Sequence, residues 1–189
     1  MKGKAVVLGG TGMLGMEIVR RLKDSDWDVK TIARSNADIN IDVSKEDSQL
    51  EKILTIQKPS LVINCAAMVS LAECEHQPKK AMRVNGLIVN EIIKGCNLTQ
   101  AKLVHISTDH WYTGDGNKLH RENEEIKLVN QYSRSKYIGE INALQNSRSL
   151  VIRTNITGFR GSAARPTFIE WLMKSLIENP SFIKVVTKC

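Results

Sequence analysis

The chain has 189 residues, of which 42% are hydrophobic and 25% are charged, and its 27 Lys and Arg exceed its 20 Asp and Glu to give a net charge of +7. This composition is that of an ordinary globular domain, and it excludes collagen-like, disordered and disulfide-scaffold proteins. No apolar run approaches the roughly 20 residues that cross a bilayer, and the amino terminus lacks the apolar core of a secretory signal. We therefore expect a cytoplasmic protein with no membrane partner.

Short runs rich in Val and Ile alternate with amphipathic stretches along the chain, and each run is short enough for a strand buried on both faces. The predicted strands are Ala5–Leu8, Val29–Ala33, Leu61–Cys65, Leu103–Ile106, Leu150–Ile152 and Ile183–Val186. The predicted helices, from apolar positions at helical spacing, are Leu14–Leu22, Leu50–Ile56, Ala81–Ile92, Tyr137–Leu144 and Phe168–Leu176. This alternation predicts an α/β fold with a doubly wound parallel sheet in three αβα layers.

A glycine-rich loop follows the first predicted strand and opens the first predicted helix. Gly9 permits a tight turn, Gly12 lets backbone amides approach a pyrophosphate, and Gly15 lets the helix lie close to the sheet. In this strand-turn-helix context the loop predicts a dinucleotide-binding domain of the Rossmann type. The other predicted contacts in this loop are Thr11, Met13 and Leu14.

The end of the second strand is where a dinucleotide site selects its cofactor. An NAD site has Asp or Glu there, whereas this chain has Arg34 and Ser35. A guanidinium beside a hydroxyl suits a 2′-phosphate, so NADP(H) is favoured and NAD(H) is left open. A solvated surface charge is the alternative for Arg34. Asp42 and Val43 are predicted adenine contacts, although an exposed Asp at the start of a loop has the same pattern.

The chemistry is predicted at Tyr132 and Lys136, whose i, i+4 spacing puts both on one helix face. We expect the ammonium to stabilise the phenolate and to lower the pKa of the phenol, which makes Tyr132 a general acid. The strand ending at Ile106 delivers Ser107 and Thr108 to the same sheet edge, where a hydroxyl can hold a substrate carbonyl. A chance surface pair would share the spacing, but the glycine loop, hydroxyl and pair together predict one site.

At these motifs the sequence resembles the extended short-chain dehydrogenase/reductases, and more narrowly the dTDP-4-dehydrorhamnose reductases, which act on nucleotide sugars. The segments that carry the resemblance are Val6–Gly15, Val62–Ala67, His105–Asp109, Tyr132–Lys136, Gly139–Glu140 and Ile152–Thr154. The resemblance implies that Thr108, Tyr132 and Lys136 are catalytic and that Lys136 also binds the nicotinamide ribose.

The same resemblance implies further cofactor contacts. The segment from Asn64 to Ala67 would line the cofactor cleft, with Cys65, Ala66 and Ala67 as cofactor contacts. Asn85 matches an Asn that supports the superfamily's active site, with a helix cap or an interior hydrogen bond as the alternative.

His110 distinguishes this chain from the similar 4,6-dehydratases, which carry Glu after their Thr-Asp pair. Its presence favours simple carbonyl reduction over elimination of water. We predict that His110 packs beside Trp111 and Tyr112 or lines the substrate site, and a role as catalytic acid is the alternative.

The carboxyl-terminal part is expected to begin the substrate side. Relatives continue into a segment that supplies most of the sugar-binding lobe, so we expect that lobe to be largely absent here. Residues 1–189 then form a single NAD(P)-binding Rossmann domain in which residues 155–189 begin the substrate side. Either the chain is a truncated or naturally short version, or a homodimer or another partner completes that side. The candidates to face a nucleotide-sugar diphosphate are Phe159, Arg160, Arg165 and Trp171.

Together with these motifs, the resemblance implies an NADPH-dependent reductase of a nucleotide-activated 4-keto-6-deoxy sugar in polysaccharide synthesis. A non-catalytic NADP-binding regulatory subunit is the alternative, although it would not need Thr108, Tyr132 and Lys136 together. An RNA-binding domain has only the net charge in its favour, because the basic surplus of residues 126–189 forms no dense run. The cysteines have no metal-ligand spacing, so we expect reduced thiols and no metal site.

Overall fold

The computed structural model describes residues 1–112, 119–159 and 166–178. The chain divides into two compact units, Met1–Asn155 and Ile156–Cys189. The first unit contains a parallel sheet with helices on both faces.

Within the described residues the sheet has six strands, all paired in parallel in the order β3-β2-β1-β4-β5-β6. The strands are β1 (Gly3–Leu8), β2 (Trp27–Ala33), β3 (Ile39–Asn40), β4 (Leu61–Asn64), β5 (Lys102–Ile106) and β6 (Ser149–Ile152). The predicted doubly wound Rossmann-type sheet is confirmed. Five predicted strands are present, the sixth (Ile183–Val186) lies outside the described residues, and β3 was not predicted. The order reverses between β1 and β4, which opens a crevice at their carboxyl ends.

The helices of the first unit are α1 (Met13–Asp24), α2 (Leu50–Gln57), α3 (Leu71–His76), α4 (Pro78–Ala81), α5 (Ile88–Thr99) and α6 (Gln131–Leu144), and α7 (Phe168–Glu178) belongs to the second unit. The predicted helix Ala81–Ile92 spans three stretches, because a π-helical segment (Met82–Leu87) joins α4 to α5. This segment lies very close to α6, since a Cβ on Gly139 would stand 2.2 Å from the Asn85 carbonyl oxygen.

The core lies on both faces of the sheet, and alternate residues of β1 serve the two sides. Val6 and Leu8 belong to a cluster with residues of α2, α5 and α6, while Val7 belongs to a smaller one that α1 covers. This alternation produces the three layers and leaves the carboxyl edge of the strands for the loops that follow.

Two further findings concern the described residues. None of their helices is long and apolar enough to span a membrane. Cys65, Cys74 and Cys96 are free thiols whose pKa is raised by burial, to about 12 for Cys65 and Cys96.

Candidate active site

The glycine loop has the geometry of a phosphate-binding turn. Gly9 has φ +72°, which favours glycine, and its N–H donates to the Ile32 carbonyl over 2.7 Å. A Cβ on Gly15 would stand 2.1 Å from the Gly9 carbonyl oxygen, so α1 can approach the turn only with glycine there. Gly12 is the N-cap of α1 and offers no side-chain cap, which leaves the first-turn amides of the helix for an anion.

The remaining residues of the loop divide by exposure. Thr11 and Gly12 are exposed, whereas Met13 and Leu14 are half-buried. Gly10 was not among the predicted contacts, yet a Cβ there would stand 2.7 Å from Thr31 Cγ2. The Gly-Gly doublet is the signal that could have indicated this second close approach, between the loop and β2.

Arg34 and Ser35 are exposed directly after β2. They lie in a turn that is held by hydrogen bonds between its two ends. Asp38 accepts hydrogen bonds from the Thr31 N–H over 2.8 Å and from Thr31 Oγ1 over 2.7 Å, and these bonds lower its pKa. The Arg34 guanidinium therefore stands beside a closed turn, at the position where a 2′-phosphate would be selected.

Asp42 and Val43 form the next part of this edge. Hydrogen bonds from Ser44 lower the pKa of Asp42, and the positive charge of Arg34 adds to the effect. The structure thus brings Arg34 and Asp42, which were predicted separately, into one electrostatic neighbourhood. Val43 is half-buried and packs against the larger core cluster.

The segment after β4 forms a wall against the glycine loop. Cys65, Ala66 and Ala67 are half-buried, and a Cβ on Gly9 would stand 2.8 Å from the Ala66 nitrogen. Asn64 holds this wall, because its Oδ1 accepts from the Ala66 N–H over 3.1 Å. The predicted lining residues therefore lie beside the turn that would hold a pyrophosphate.

The three predicted catalytic residues meet at the carboxyl end of β5. Thr108 is buried there, and its hydroxyl lies near the Tyr132 phenol of α6, whose pKa it acts to lower. One turn further along α6, Lys136 donates from Nζ to the Ile106 carbonyl over 2.6 Å. The amino end of α6 is held by Glu75, whose carboxylate accepts from the Gln131 N–H over 2.7 Å.

The electrostatics of this group differ from the expectation. Burial raises the pKa of Tyr132, and the nearby Thr108 hydroxyl opposes that shift. Burial also lowers the pKa of Lys136 to about 8, and the negative charge of Glu140 opposes that shift. The prediction that Lys136 lowers the pKa of the phenol is therefore wrong for this structure, because the phenolate is desolvated and the ammonium is directed to a backbone carbonyl.

Asn85 lies behind the site and is only 1% exposed. Its Nδ2 donates to the Met68 carbonyl and to Ser135 Oγ, both over 3.0 Å, and its Oδ1 accepts from the Met68 N–H over 2.8 Å. This is the interior hydrogen bonding that the sequence left as the alternative. These contacts tie the loop after β4 to α6, and they occupy both donor hydrogens of the amide instead of directing them to a cofactor.

An ion pair between Glu140 and Arg153, for which no role was predicted, lies next to the site. Glu140 of α6 accepts from Ser107 Oγ over 3.0 Å and pairs with the Arg153 guanidinium, which follows β6. The same guanidinium donates to the Glu122 carbonyl over 2.9 Å and lies over the Trp111 ring at 5.1 Å. It therefore connects two strand ends, α6 and both described limbs of the loop between β5 and α6.

His110 also lies at the site. Its N–H donates to Thr108 Oγ1 over 3.1 Å, and its ring meets the Tyr132 ring edge-on with the centroids 5.7 Å apart. In the second unit, Phe159 and Trp171 are exposed, whereas Arg160 and Arg165 lie outside the described residues.

Comparison with known proteins decides the family. The family model described as RmlD substrate binding domain matches residues 3–187. The chain belongs to this family. Its similarity to dTDP-4-dehydrorhamnose reductases, expected from the motifs, is confirmed.

Several RmlD-type relatives carry names that describe sugar biosynthesis. The chain is 31% identical over 186 residues, 97% of its length, to the spore coat polysaccharide biosynthesis protein SpsK of Bacillus subtilis. It is 29% identical over 152 residues, 79% of its length, to the dTDP-4-dehydrorhamnose reductase of Escherichia coli. It spans 62% of the length of the first relative and 50% of the second.

Solved structures agree with this family. The dTDP-4-dehydrorhamnose reductase of Clostridium acetobutylicum superposes with a TM-score of 0.79 at 25% identity, covering 90% of this chain and 58% of that one. The reductase of Bacillus anthracis, solved in complex with NADP, superposes with a TM-score of 0.71 at 25% identity, covering 81% of this chain and 53% of that one.

Proposed function

We propose that this chain is the cofactor-binding and catalytic part of an NADPH-dependent reductase of a nucleotide-activated 4-keto-6-deoxy sugar. The observation that carries the proposal is the meeting of Thr108, Tyr132 and Lys136 at the sheet edge that also holds the glycine loop. The names of the RmlD-family relatives, which are reductases of such sugars, support the substrate class.

The residues present fit an NADP cofactor. The first-turn amides of α1 suit the pyrophosphate, because Gly12 at the N-cap has no side chain that could cap them. Arg34 and Ser35 would hold the 2′-phosphate, and Cys65 to Ala67 would form the wall of the cleft. When bound, the reduced cofactor supplies a hydride, and the solved NADP complex of the Bacillus anthracis relative supports this choice.

The protein's own groups would supply the proton. The Thr108 hydroxyl accepts from the His110 N–H and lies beside the Tyr132 phenol, so a substrate carbonyl oxygen bound between the two hydroxyls would accept a hydrogen bond from each. The raised pKa of Tyr132 keeps the phenol protonated at neutral pH, so it can transfer its proton to that oxygen as the carbonyl carbon gains hydride. The ammonium of Lys136, which donates to the Ile106 carbonyl at the same strand end, would bind the nicotinamide ribose.

The expectation that residues 155–189 begin the substrate side, and that a second copy or another partner completes it, stays part of this proposal. The division of the chain into units at Asn155 and Ile156 supports that boundary.

The experiment is turnover of dTDP-4-keto-6-deoxyglucose with NADPH, followed by loss of reduced-nicotinamide absorbance, after binding titrations with NADPH and NADH. We expect Tyr132→Phe to retain NADPH affinity and to lose at least about 100-fold in kcat, because it removes only the proton donor. Unchanged turnover in Tyr132→Phe would contradict the acid assignment. NADPH binding by the wild type without any turnover would instead support the regulatory subunit.

A further inference from the structure

Asn130 connects the start of α6 to the His110 ring. It is the N-cap of the helix, where its Oδ1 accepts from the Ser133 N–H over 2.8 Å while Ser133 Oγ accepts from the Asn130 N–H over 3.1 Å. This reciprocal capping fixes the orientation of the amide, because the Ser133 N–H requires an acceptor. The donor end, Nδ2, is therefore the atom that lies 3.0 Å from His110 Nε2.

The contact determines where His110 carries its proton. An amide NH₂ group can only donate, so His110 Nε2 must accept. A neutral imidazole with an accepting Nε2 carries its hydrogen on Nδ1. Within the described part of the chain, Nδ1 makes no hydrogen bond. His110 thus has a donor group that the protein leaves available.

The position of the His110 ring indicates which substrate atoms the Nδ1 hydrogen could reach. Its backbone N–H binds Thr108 Oγ1 and its ring contacts Tyr132, so it adjoins both groups that would handle the substrate carbonyl. A substrate acceptor that met Nδ1 would therefore lie close to that carbonyl. In a keto sugar, the hydroxyl oxygen on the ring carbon next to the carbonyl is such an acceptor.

We propose that His110 donates from Nδ1 to a sugar hydroxyl next to the reacting carbonyl, and that Asn130 is the positioning residue that fixes this tautomer. The substrate half of the inference rests on the reductase function proposed above. The tautomer half rests on the capping geometry alone, so the two halves can be tested separately.

The tautomer is measured by long-range ¹H–¹⁵N NMR on the histidine-labelled chain, with His110 assigned by the signals that His110→Phe removes. In the wild type we expect a protonated Nδ1 and an unprotonated Nε2. Asn130→Ser retains an oxygen to cap Ser133 but loses the amide donor, so we expect the Nε2-protonated form to appear. A wild-type His110 protonated on Nε2, or an unchanged tautomer in Asn130→Ser, would overturn the proposal.

The substrate contact is tested with three variants of His110. His110→Asn places an amide nitrogen two bonds from Cβ, as Nδ1 is, whereas His110→Gln places it where Nε2 is. His110→Phe keeps the ring contact with Tyr132 and removes both nitrogens.

We expect kcat/KM for the sugar to fall about 10-fold in the Phe and Gln variants and much less in the Asn variant, with NADPH affinity unchanged in all three. Full activity in His110→Phe would overturn the substrate contact. A wild type that does not reduce the sugar would overturn the proposed function and this contact with it, while the NMR result would stand.

Discussion

Lys136 is only 3% exposed, and its ammonium group donates to a backbone carbonyl. Its spacing from Tyr132 was readable from the sequence, since residues four apart share a helix face. The directions of the two pKa shifts could not be predicted from the sequence. They depend on how deeply β5, α6 and the loop after β4 bury the phenol and the ammonium. Burial is a property of the packed structure, and it raises the pKa of the phenol while it lowers the pKa of the ammonium.

The lowered pKa of Lys136 predicts the pH dependence of the reaction. Below about pH 8 the Lys136 side chain is charged, and above that pH it loses its proton. We therefore expect kcat/KM for NADPH to fall roughly 10-fold per pH unit above about pH 8. The phenol of Tyr132, with its raised pKa, stays protonated through this range. The measurement is a pH profile of steady-state rates.

The matched control for this profile is Lys136→Arg. A guanidinium keeps its charge throughout the accessible range, so the fall above about pH 8 should disappear even if the rate is lower. The same fall in Lys136→Arg, or a flat profile in the wild type, would contradict the assignment.

At the scale of elements, the glycine loop and α1 were predicted from local sequence, whereas β3 and the π-helical segment were not. β3 is a strand of two residues, Ile39 and Asn40, so no alternation of apolar and polar residues can reveal it. The π-helical segment has the apolar spacing of an ordinary helix. Its distinguishing cause is the close approach of α6 at Gly139, a contact between residues far apart in the chain.

Two glycines of the loop should respond differently to the same added methyl group. Gly15→Ala forces a Cβ to within 2.1 Å of the Gly9 carbonyl oxygen, so we expect the free energy of unfolding to fall by about 1–3 kcal/mol. Gly12 has φ −81° and its Cβ would stand 3.2 Å from the same oxygen, so Gly12→Ala should cost less than about 1 kcal/mol.

Urea unfolding and NADPH titration of both variants provide the measurement. Gly12→Ala should weaken NADPH binding while leaving the fold nearly as stable, because its methyl group would stand where the pyrophosphate approaches the amides. Equal losses of stability in the two variants would contradict this division of roles.

At the scale of the whole molecule, the alternating pattern predicted the layers and the parallel sheet, and it also placed Thr108 and Tyr132 on one edge. It could not predict what connects the strands across that edge. Glu140 and Arg153 lie in segments that carry the family resemblance, but no role was predicted for them. Their ion pair forms because β6 pairs with β5 in the folded sheet, which the sequence does not show. Asn130 was missed because capping residues look like any polar residue before a helix.

His105 shows the same limit inside the sheet. It is fully buried on β5, and its Nδ1 accepts from Asn64 Nδ2 over 3.1 Å, so the proton lies on Nε2. Burial lowers the pKa of His105 to about 3, with the charge of Lys136 adding to the shift. From the sequence this residue looked like one more position in an apolar strand.

The lowered pKa of His105 predicts acid sensitivity of the fold. Between about pH 6.5 and pH 3 the unfolded chain binds a proton that the folded chain excludes, so the free energy of unfolding should fall as the pH is lowered through this range, by about 1.4 kcal/mol per pH unit. Above about pH 6.5 this contribution should be constant. Denaturant unfolding at a series of pH values measures it.

His105→Asn is the control, because it keeps an acceptor for Asn64 near the position of Nδ1 but cannot titrate. It leaves a cavity and should be less stable at neutral pH, yet its difference from the wild type should shrink as the pH falls. A difference that stays constant from about pH 7 to pH 4 would show that His105 does not carry the effect.

The most direct test of the proposed reduction measures the transfer of the hydride from NADPH to the sugar. The wild-type chain is given dTDP-4-keto-6-deoxyglucose and NADPH deuterated at the nicotinamide C4, and the sugar product is analysed by mass spectrometry. The proposal predicts one deuterium on the former carbonyl carbon, formed by the wild type and nearly absent with Tyr132→Phe. A wild type that binds NADPH yet delivers no deuterium to the sugar would contradict it.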